Sequence, residues 1–357
     1  MAYVTLNQKN LVSNFNYLKE LFEENNKEWA IVSKLLCGTE RYLKILCDLD
    51  INEICDSRIS NLKLIKEINS EINTVYIKPP AKDNISEMVR YADVSFNTEF
   101  TTIKWISEEA VKQDKTHKII IMIELGDLRE GVLGDDLTDF YKKVFELPNI
   151  EITGIGSNLN CLYGVLPSTD KLLQLSLYKK LIEAKFNQKI PWVTGGTSLV
   201  IPLLFKKQIP VDMNHFRIGE TLYFGNNLIA NKQIEGMNDD VFKLHSQIIE
   251  INEKPVIPNG VMEENPSGES FVINENDYGK TSYRALLDVG VLDISDPNFL
   301  IPENDNLKIV GASSDMIVVD LGSNETGLKV GDFLQFKLKY MGALRAFNSE
   351  YIDKLVI

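Results

Sequence analysis

Through its first 240 residues the chain alternates short apolar runs with longer amphipathic stretches, and this alternation restricts the fold more than any other feature. The stretch 10–24, NLVSNFNYLKELFEE, has apolar residues at helical spacing and a polar opposite face. WAIVSK (29–34) then reads as a short buried strand. The same pairing recurs. Strand-like runs lie at 52–58, 73–80, 93–99, 118–125, 150–158, 192–198 and 215–220. Helical stretches lie at 41–49, 59–68, 83–91, 101–113, 135–147 and 170–186. The clearest strand, KIIIMIEL (118–125), is nearly continuous in apolar residues, as suits a parallel sheet buried on both faces.

Alternating strands and helices imply a parallel sheet, and eight such units close into a barrel. An open doubly wound sheet is the alternative. The total of eight and the span favour the barrel. After about residue 235 the pattern changes. Strand-like segments at 241–251, 283–294, 305–322 and 332–340 are separated by Gly, Pro, Asn and Asp turns, and 264–270 reads as an exposed loop. The expected class is therefore α/β: a TIM (β/α)8 barrel over 1–235, followed by a C-terminal all-β domain over 236–357. Residues 1–10 are free to pair with the second domain. The length of 357 residues fits a barrel of roughly 250 residues and a further domain of about 100.

Composition removes several classes. The net charge of -13 argues against a nucleic-acid partner and weakly favours a cationic substrate. No apolar run reaches the ~18 residues of a membrane span, and MAYVTLNQKN has no apolar leader, so no membrane partner is expected. The four cysteines (Cys37, Cys47, Cys55, Cys161) show no paired spacing and suit a cytoplasmic chain. With three histidines and no HExxH or Cys/His cluster, no metal site is expected.

In such a barrel the working residues sit at the C-terminal ends of the strands. Those ends offer Lys34, Arg58, Asn97, Glu124, Arg129, Asn158, Gly195 to Ser198, and Arg217 with Gly219 and Glu220. Lys34 closes an apolar strand. Half-desolvated there, its amine is a better nucleophile, as Schiff-base chemistry needs. The alternative is a lysine that snorkels to solvent. GGTS (195–198) and RIGE (217–220) are glycine turns whose backbone N–H groups approach an anion, on the strands that often form a barrel's phosphate site. Together, opposite a strand-one lysine, they favour a phosphorylated cofactor. With a pyridine cofactor such as pyridoxal phosphate Arg217 would have a role, because such enzymes place either a carboxylate or an arginine at the ring nitrogen. An arginine stays protonated and disfavours a protonated ring, so it disfavours reactions that need a long-lived carbanion on the cofactor. A surface salt bridge is the plain alternative for Arg217.

At these residues the sequence resembles the fold-type III pyridoxal-phosphate (PLP) enzymes, specifically the ornithine racemase branch of the alanine-racemase-like family. The stretches that carry the resemblance are AIVSKLLCG (30–38), ICDSRISNLK (54–63), IELGDLREG (123–131), GIGSNLNCLYG (154–164), VTGGTS (193–198), HFRIGE (215–220) and VGASSDMIVVD (310–320). The resemblance runs over nearly the whole chain. It implies a homodimer whose sites lie between one barrel and the partner's β domain. It also implies that Lys34 carries PLP covalently. Arg129 would touch the cofactor's phenolic oxygen and the substrate carboxylate. Asn158 would stand where alanine racemases place a histidine near the ring. Gly196, Thr197, Ser198, Gly219 and Glu220 would hold the phosphate. Arg217 would face the ring nitrogen, where the related decarboxylases carry glutamate.

Three departures bear on the substrate. LLCG lacks the family's tyrosine after the lysine. KPVIPNG (254–260) lacks the tyrosine that serves as second base. GGTS and CLYG stand where ornithine-racemase-like chains read GGNS and CFGG. Racemisation needs one base on each face of Cα. Lys34 is one. Asp315 is the candidate near substrate, as base or as binder of a side-chain ammonium, with Tyr278, Tyr283 and Cys161 as alternatives. The expected activity is amino-acid racemisation on ornithine or a similar polar or basic substrate. Two other readings stay open. A decarboxylase is disfavoured by Arg217 and by the absence of a CxSxD motif in VGASSD. A PLP-homeostasis protein is disfavoured by the β domain.

Overall fold

The computed structural model describes residues 2–264, 268 and 270–357. Residues 265–267 and 269, within the loop expected at 264–270, lie outside the described residues. After β1 (Tyr3–Leu6) and α1 (Gln8–Glu24), eight strands close into a parallel barrel in chain order: β2 (Glu28–Val32), β3 (Glu53–Asp56), β4 (Asn73–Tyr76), β5 (Val94–Asn97), β6 (His117–Met122), β7 (Ile150–Gly156), β8 (Trp192–Thr194) and β9 (His215–Ile218). Between them run α2 (Glu40–Cys47), α3 (Ile59–Ile68), α4 (Ile85–Tyr91), α5 (Phe100–Lys112), α6 (Leu137–Phe145), α7 (Thr169–Phe186) and α8 (Ile201–Phe205). The short α9 (Glu220–Phe224) follows β9.

The helices form for local reasons. Asn7 caps α1 by accepting a hydrogen bond from the Asn10 backbone N–H at 3.1 Å. Leu11, Phe15, Leu18 and Phe22 then recur every three or four residues and are buried. Each such burial contributes about 1.5–3 kcal/mol, so Leu18→Ala is a cavity-forming change costing about 2–5 kcal/mol.

Side chains alternate across each strand, and the inward set divides the barrel interior. On β2 to β6 it is a buried apolar cluster of Ala30, Val32, Cys55, Val75, Val94, Phe96, Ile120 and Met122. On β7 the glycines make room: a Cβ on Gly154 would meet Ile120 Cγ1 at 2.9 Å, and one on Gly156 would meet Thr194 Cγ2 at 2.5 Å. On β8 and β9 the buried residues Thr194, His215 and Arg217 make the far side of the interior polar.

The hairpin of β10 (Asn226–Asn227) and β11 (Lys232–Gln233) follows. Asn7–Val241 forms one compact unit; Phe242–Leu355, with the N-terminal strand, forms the other. The second unit contains β12 (Phe242–Pro255), β13 (Thr281–Leu287), α10 (Val291–Ile294), β14 (Leu300–Pro302), β15 (Lys308–Ala312), β16 (Ile317–Asp320), β17 (Phe333–Leu338), α11 (Tyr340–Asn348) and β18 (Asp353–Val356). The sheet order is β14-β17-β12-β13-β16-β15, and β1 pairs with β12 and β18. The long β12 pairs with β1 and β17 in its first half and with β13 in its second, with a register shift between Ile248 and Glu250. The unit is strand-rich and mostly antiparallel, as expected of a β domain, and it also carries α11, a helix of nine residues. Its buried face is Gly342, Ala343, Ala346 and Phe347, mostly residues too small to give an apolar periodicity.

Candidate active site

Two of the sequence stretches prove to be halves of one device. Ser33, just past β2, donates its hydroxyl to Asp56 Oδ2 at 2.6 Å. Asp56 also accepts from the Arg58 backbone N–H at 2.8 Å and from Asn61 Nδ2 at 3.2 Å. Asn61 in turn lies against Gly38, where a Cβ would come within 2.5 Å of Asn61 Oδ1 and φ is +74°. Burial pushes the Asp56 carboxyl above its usual range, and the Ser33, Arg58 and Asn61 bonds oppose that rise. This device fixes the turn that carries Lys34. Two expectations need correction. Strand β2 stops at Val32, so Lys34 opens a turn of 3₁₀ helix rather than closing the strand. Its side chain is exposed, so the chain by itself does not desolvate it.

The glycine turns come next to that lysine. They are not opposite it, because closing the barrel makes the first and last strands neighbours: Ala30 pairs with Arg217 and Ile31 with Ile218. Gly196 has φ +145°, and a Cβ there would meet Val200 Cγ1 at 2.6 Å. Ser198 is buried, and its Oγ accepts from the Thr221 backbone N–H at 3.1 Å, which ties the GGTS turn to α9. Thr197 is half-buried beside it. Tyr223 Oη donates to the Val32 carbonyl at 3.0 Å and ties α9 to the end of β2. Gly219 opens α9 close to Val32. Burial pushes the Glu220 carboxyl up, and the Lys34 charge opposes it.

Arg217 is 2% exposed and lies over the Phe96 ring, 5.1 Å from its centroid. It donates to Thr194 Oγ1, to the Ser157 carbonyl at 3.1 Å and to Asn158 Oδ1 at 2.6 Å. Asn158 Nδ2 donates to Glu130 Oε1 at 2.5 Å, and Glu130 is paired with Arg129. Arg129 is exposed on the loop after β6. Asp127, which the sequence reading did not single out, organises this end. It is buried and accepts four backbone N–H bonds, from Cys161 (2.8 Å), Leu162 (2.9 Å), Tyr163 (3.2 Å) and Val165 (3.2 Å). Desolvation would raise its carboxyl, but the four donors hold it below the usual range. The GDLREG and NCLYG stretches are thus clamped together. Lys34 and Arg129 both act electrostatically on Cys161.

Within the second unit, Asp315 lies at the turn between β15 and β16 and is exposed. The backbone N–H groups of Val291 and Leu292 donate to the Ser313 and Ser314 carbonyls, both at 3.0 Å. A Cβ on Gly290 would come within 2.2 Å of the Ser314 carbonyl oxygen. The turn is held from behind and presents Asp315 outward. Tyr278 is exposed, and Tyr283 is half-buried opposite Glu253.

The barrel residues fit a phosphorylated pyridine cofactor. The bonds of Arg217 leave its Nε–H and one Nη1–H for a further acceptor. Ser157 Oγ and Asn97 Oδ1, near the C-terminal ends of β7 and β5, are buried without a partner, the signature of a group completed by a ligand. Among the described residues no group of His, Cys, Asp and Glu is arranged to hold a metal, and no helix is long and apolar enough to cross a membrane.

Residues 6–227 match the family "Alanine racemase, N-terminal domain". The chain is 36% identical to an ornithine racemase of Acetoanaerobium sticklandii over 98% of both chains. It is 28% identical to a lysine racemase of Thermotoga maritima, over 98% of this chain and 97% of that one. An alanine racemase from Bartonella henselae with covalently bound pyridoxal phosphate superimposes with a TM-score of 0.75 at 17% identity, covering 100% of this chain and 99% of that one. The chain belongs to the alanine racemase family.

Proposed function

We propose that the chain interconverts the L and D forms of ornithine, or of an amino acid with a similarly basic side chain, with PLP held on Lys34. One observation carries the reading: Lys34, the two glycine turns and a buried Arg217 with unspent N–H groups converge on three adjacent strands, β8, β9 and β2. When bound, PLP supplies the electron withdrawal that acidifies the substrate Cα–H.

The chain's own residues do the rest. The backbone N–H groups of Gly196, Thr197, Gly219 and Glu220 and the Ser198 hydroxyl would hold the phosphate. Arg217 would give a hydrogen bond to the ring nitrogen and, being a fixed cation, would keep that nitrogen unprotonated. Asn158, which links Arg217 to Glu130, would stand beside the ring. Arg129 binds the substrate carboxylate. Lys34 Nζ takes or returns the proton on one face of Cα.

The opposite face is assigned to a second copy. A barrel domain near 1–235 supplies the cofactor site and a β domain near 236–357 completes the partner's site. Asp315 of the partner subunit then acts as second base or binds the side-chain ammonium. Leu128, Leu162 and Tyr163, 67%, 56% and 70% exposed on the loops after β6 and β7, give such a homodimer an apolar surface to cover. Its four free cysteines, Cys37, Cys47, Cys55 and Cys161, support a cytoplasmic assignment.

Chiral chromatography tests the reading. Purified protein is incubated with PLP and separate L-amino acids, ornithine and lysine first, beside Lys34→Ala. D-isomer from wild type alone supports racemisation and ranks the substrates. No D-isomer from any amino acid, despite a visible absorbance that depends on Lys34, sinks it and moves the assignment to decarboxylation or PLP carriage.

A further inference from the structure

Arg217 is the source of two hydrogen-bonded chains, and each ends on a carboxylate. The outer chain runs through Asn158 to Glu130. The inner chain runs from Arg217 to Thr194 Oγ1, from Thr194 to His215 Nδ1 at 3.0 Å, and from His215 Nε2 to Glu53 Oε1 at 2.9 Å. Glu53 Oε2 also accepts from Asn73 Nδ2 at 2.7 Å. His215 and Glu53 are buried, and Trp192 stacks on the imidazole with ring centroids 4.6 Å apart.

With Glu53 ionised and His215 neutral, the proton inventory sets the direction of the inner chain. An arginine has no acceptor, so Thr194 Oγ1 accepts from Arg217. An ionised Glu53 only accepts, so His215 Nε2 carries a hydrogen. A neutral imidazole then has a bare Nδ1, which accepts the Thr194 hydroxyl proton. Each member donates to the next, away from Arg217. The reverse tautomer would aim the Nδ1–H at Thr194 and leave Glu53 Oε1 facing a bare nitrogen. An imidazolium would add a second buried cation within two hydrogen bonds of the first. Burial lowers the pKa of the guanidinium, and the carboxylates of Glu130 and Glu53 act to restore it.

We propose that Glu53 and His215 are positioning residues for Arg217. Acting through Thr194 from the N-terminal end of the barrel, they hold its guanidinium in one orientation, with its free N–H groups turned to the mouth. The proposal rests on the reading of the mouth as the cofactor site only for its catalytic consequence. The polar chain itself is made of the protein's own side chains. Neither Glu53 nor His215 was among the residues singled out in the sequence. They lie 162 positions apart and meet only because β3 and β9 both flank β2 in the closed barrel.

Nitrogen NMR of the full-length protein, labelled at histidine and arginine, tests the proposal with and without added PLP. Three histidines make the assignment simple. The expected result is His215 protonated at Nε2 and bare at Nδ1, with separate Nη resonances for an Arg217 held against rotation. In His215→Phe, which keeps the ring stack, those Nη resonances merge although no hydrogen bond joins residue 215 to the guanidinium. Should that variant not fold, Thr194→Val gives the same merging and Thr194→Ser restores the wild-type pattern. An Nδ1–H or doubly protonated His215, or unchanged Arg217 resonances in the variants, overturns the proposal. In the racemisation assay kcat falls roughly tenfold or more with KM little changed, as a misaligned group requires. If the wild type neither racemises nor binds PLP, the cofactor reading fails, and the NMR result still decides the polar chain.

Discussion

At the N-terminal end of the barrel, where β3, β4 and β9 begin, Glu53 accepts from Asn73 and pairs with His215, and Trp192 covers the imidazole. His117, at the start of β6, is buried against Ser95 Oγ at 2.8 Å. At the opposite end Ser157 Oγ and Asn97 Oδ1 are buried without a partner, Arg217 keeps N–H groups unspent, and Lys34 is exposed. Backbone strain follows the same division. Left-handed residues in the helix-to-strand turns of the N-terminal end are Asn26, Asp114, Asn149 and Asn187, types that tolerate it, with Lys207 the exception. The loops of the mouth hold Cys37 at φ 49° and Leu128 at φ 52° as well as Asn160. One end has settled its polar and conformational demands internally. The other has left them open, and an end of that kind is where a ligand completes the structure.

The largest effect that tests this contrast is at Lys34. Its side chain is exposed, so Lys34→Ala leaves stability within about 0.5 kcal/mol of wild type, while racemisation falls below detection because no other amine replaces it. Thermal unfolding and the chiral assay on the same preparation check both halves. A large loss of stability would mean that the mouth, like the other end, is built for folding.

The second test is at the closed end. Burial pushes the His117 pKa down to about 4 from its ordinary 6.5. A histidine whose folded pKa is depressed is neutral when folded and protonated when unfolded between those values. The unfolded state therefore takes up more protons, and stability is lost as the pH falls from 6.5 toward 4. The shift corresponds to about 3 kcal/mol. Urea midpoints measured against pH for wild type and His117→Gln should converge across that window. Parallel curves would show that His117 is not the buried neutral group described.

How much of this was legible in the sequence follows the same line. Periodicity located the barrel helices well: the expected 59–68 is α3, Ile59–Ile68. Glycine turns and a lysine after a strand are local signals, so the mouth was visible. What was hidden is non-local. Asp127 reads as one more loop acid until its four backbone donors, 34 to 38 residues away, are in place. Glu53 and His215 sit at strand starts, where nothing in the chain marks them as facing inward. The exposure of Lys34 was equally hidden, because where β2 stops is decided by the Ser33–Asp56 hydrogen bond rather than by the apolar run.

The smallest effect, and the sharpest test of stored strain, is at Leu128. A left-handed conformation costs an ordinary L-residue about 1–2 kcal/mol. Glycine removes that cost but loses more backbone entropy on folding, about 0.5–1 kcal/mol. Within a single chain Leu128 is 67% exposed, so in titrations of dilute, monomeric protein little burial is forfeited. Leu128→Gly should therefore stabilise the protein by about 0.5–1 kcal/mol. At the other end Asn26 has φ 52° and is exposed, but asparagine already tolerates that region, so Asn26→Gly should leave stability unchanged or slightly lower. Paired denaturant titrations separate the two. Loosening Leu128 also frees the adjoining Arg129, so KM for the amino acid should rise in Leu128→Gly and stay put in Asn26→Gly. Equal stability changes at both positions would mean that strain is spread evenly between the two ends, and the division drawn from the unpartnered polar atoms would then have to stand without it.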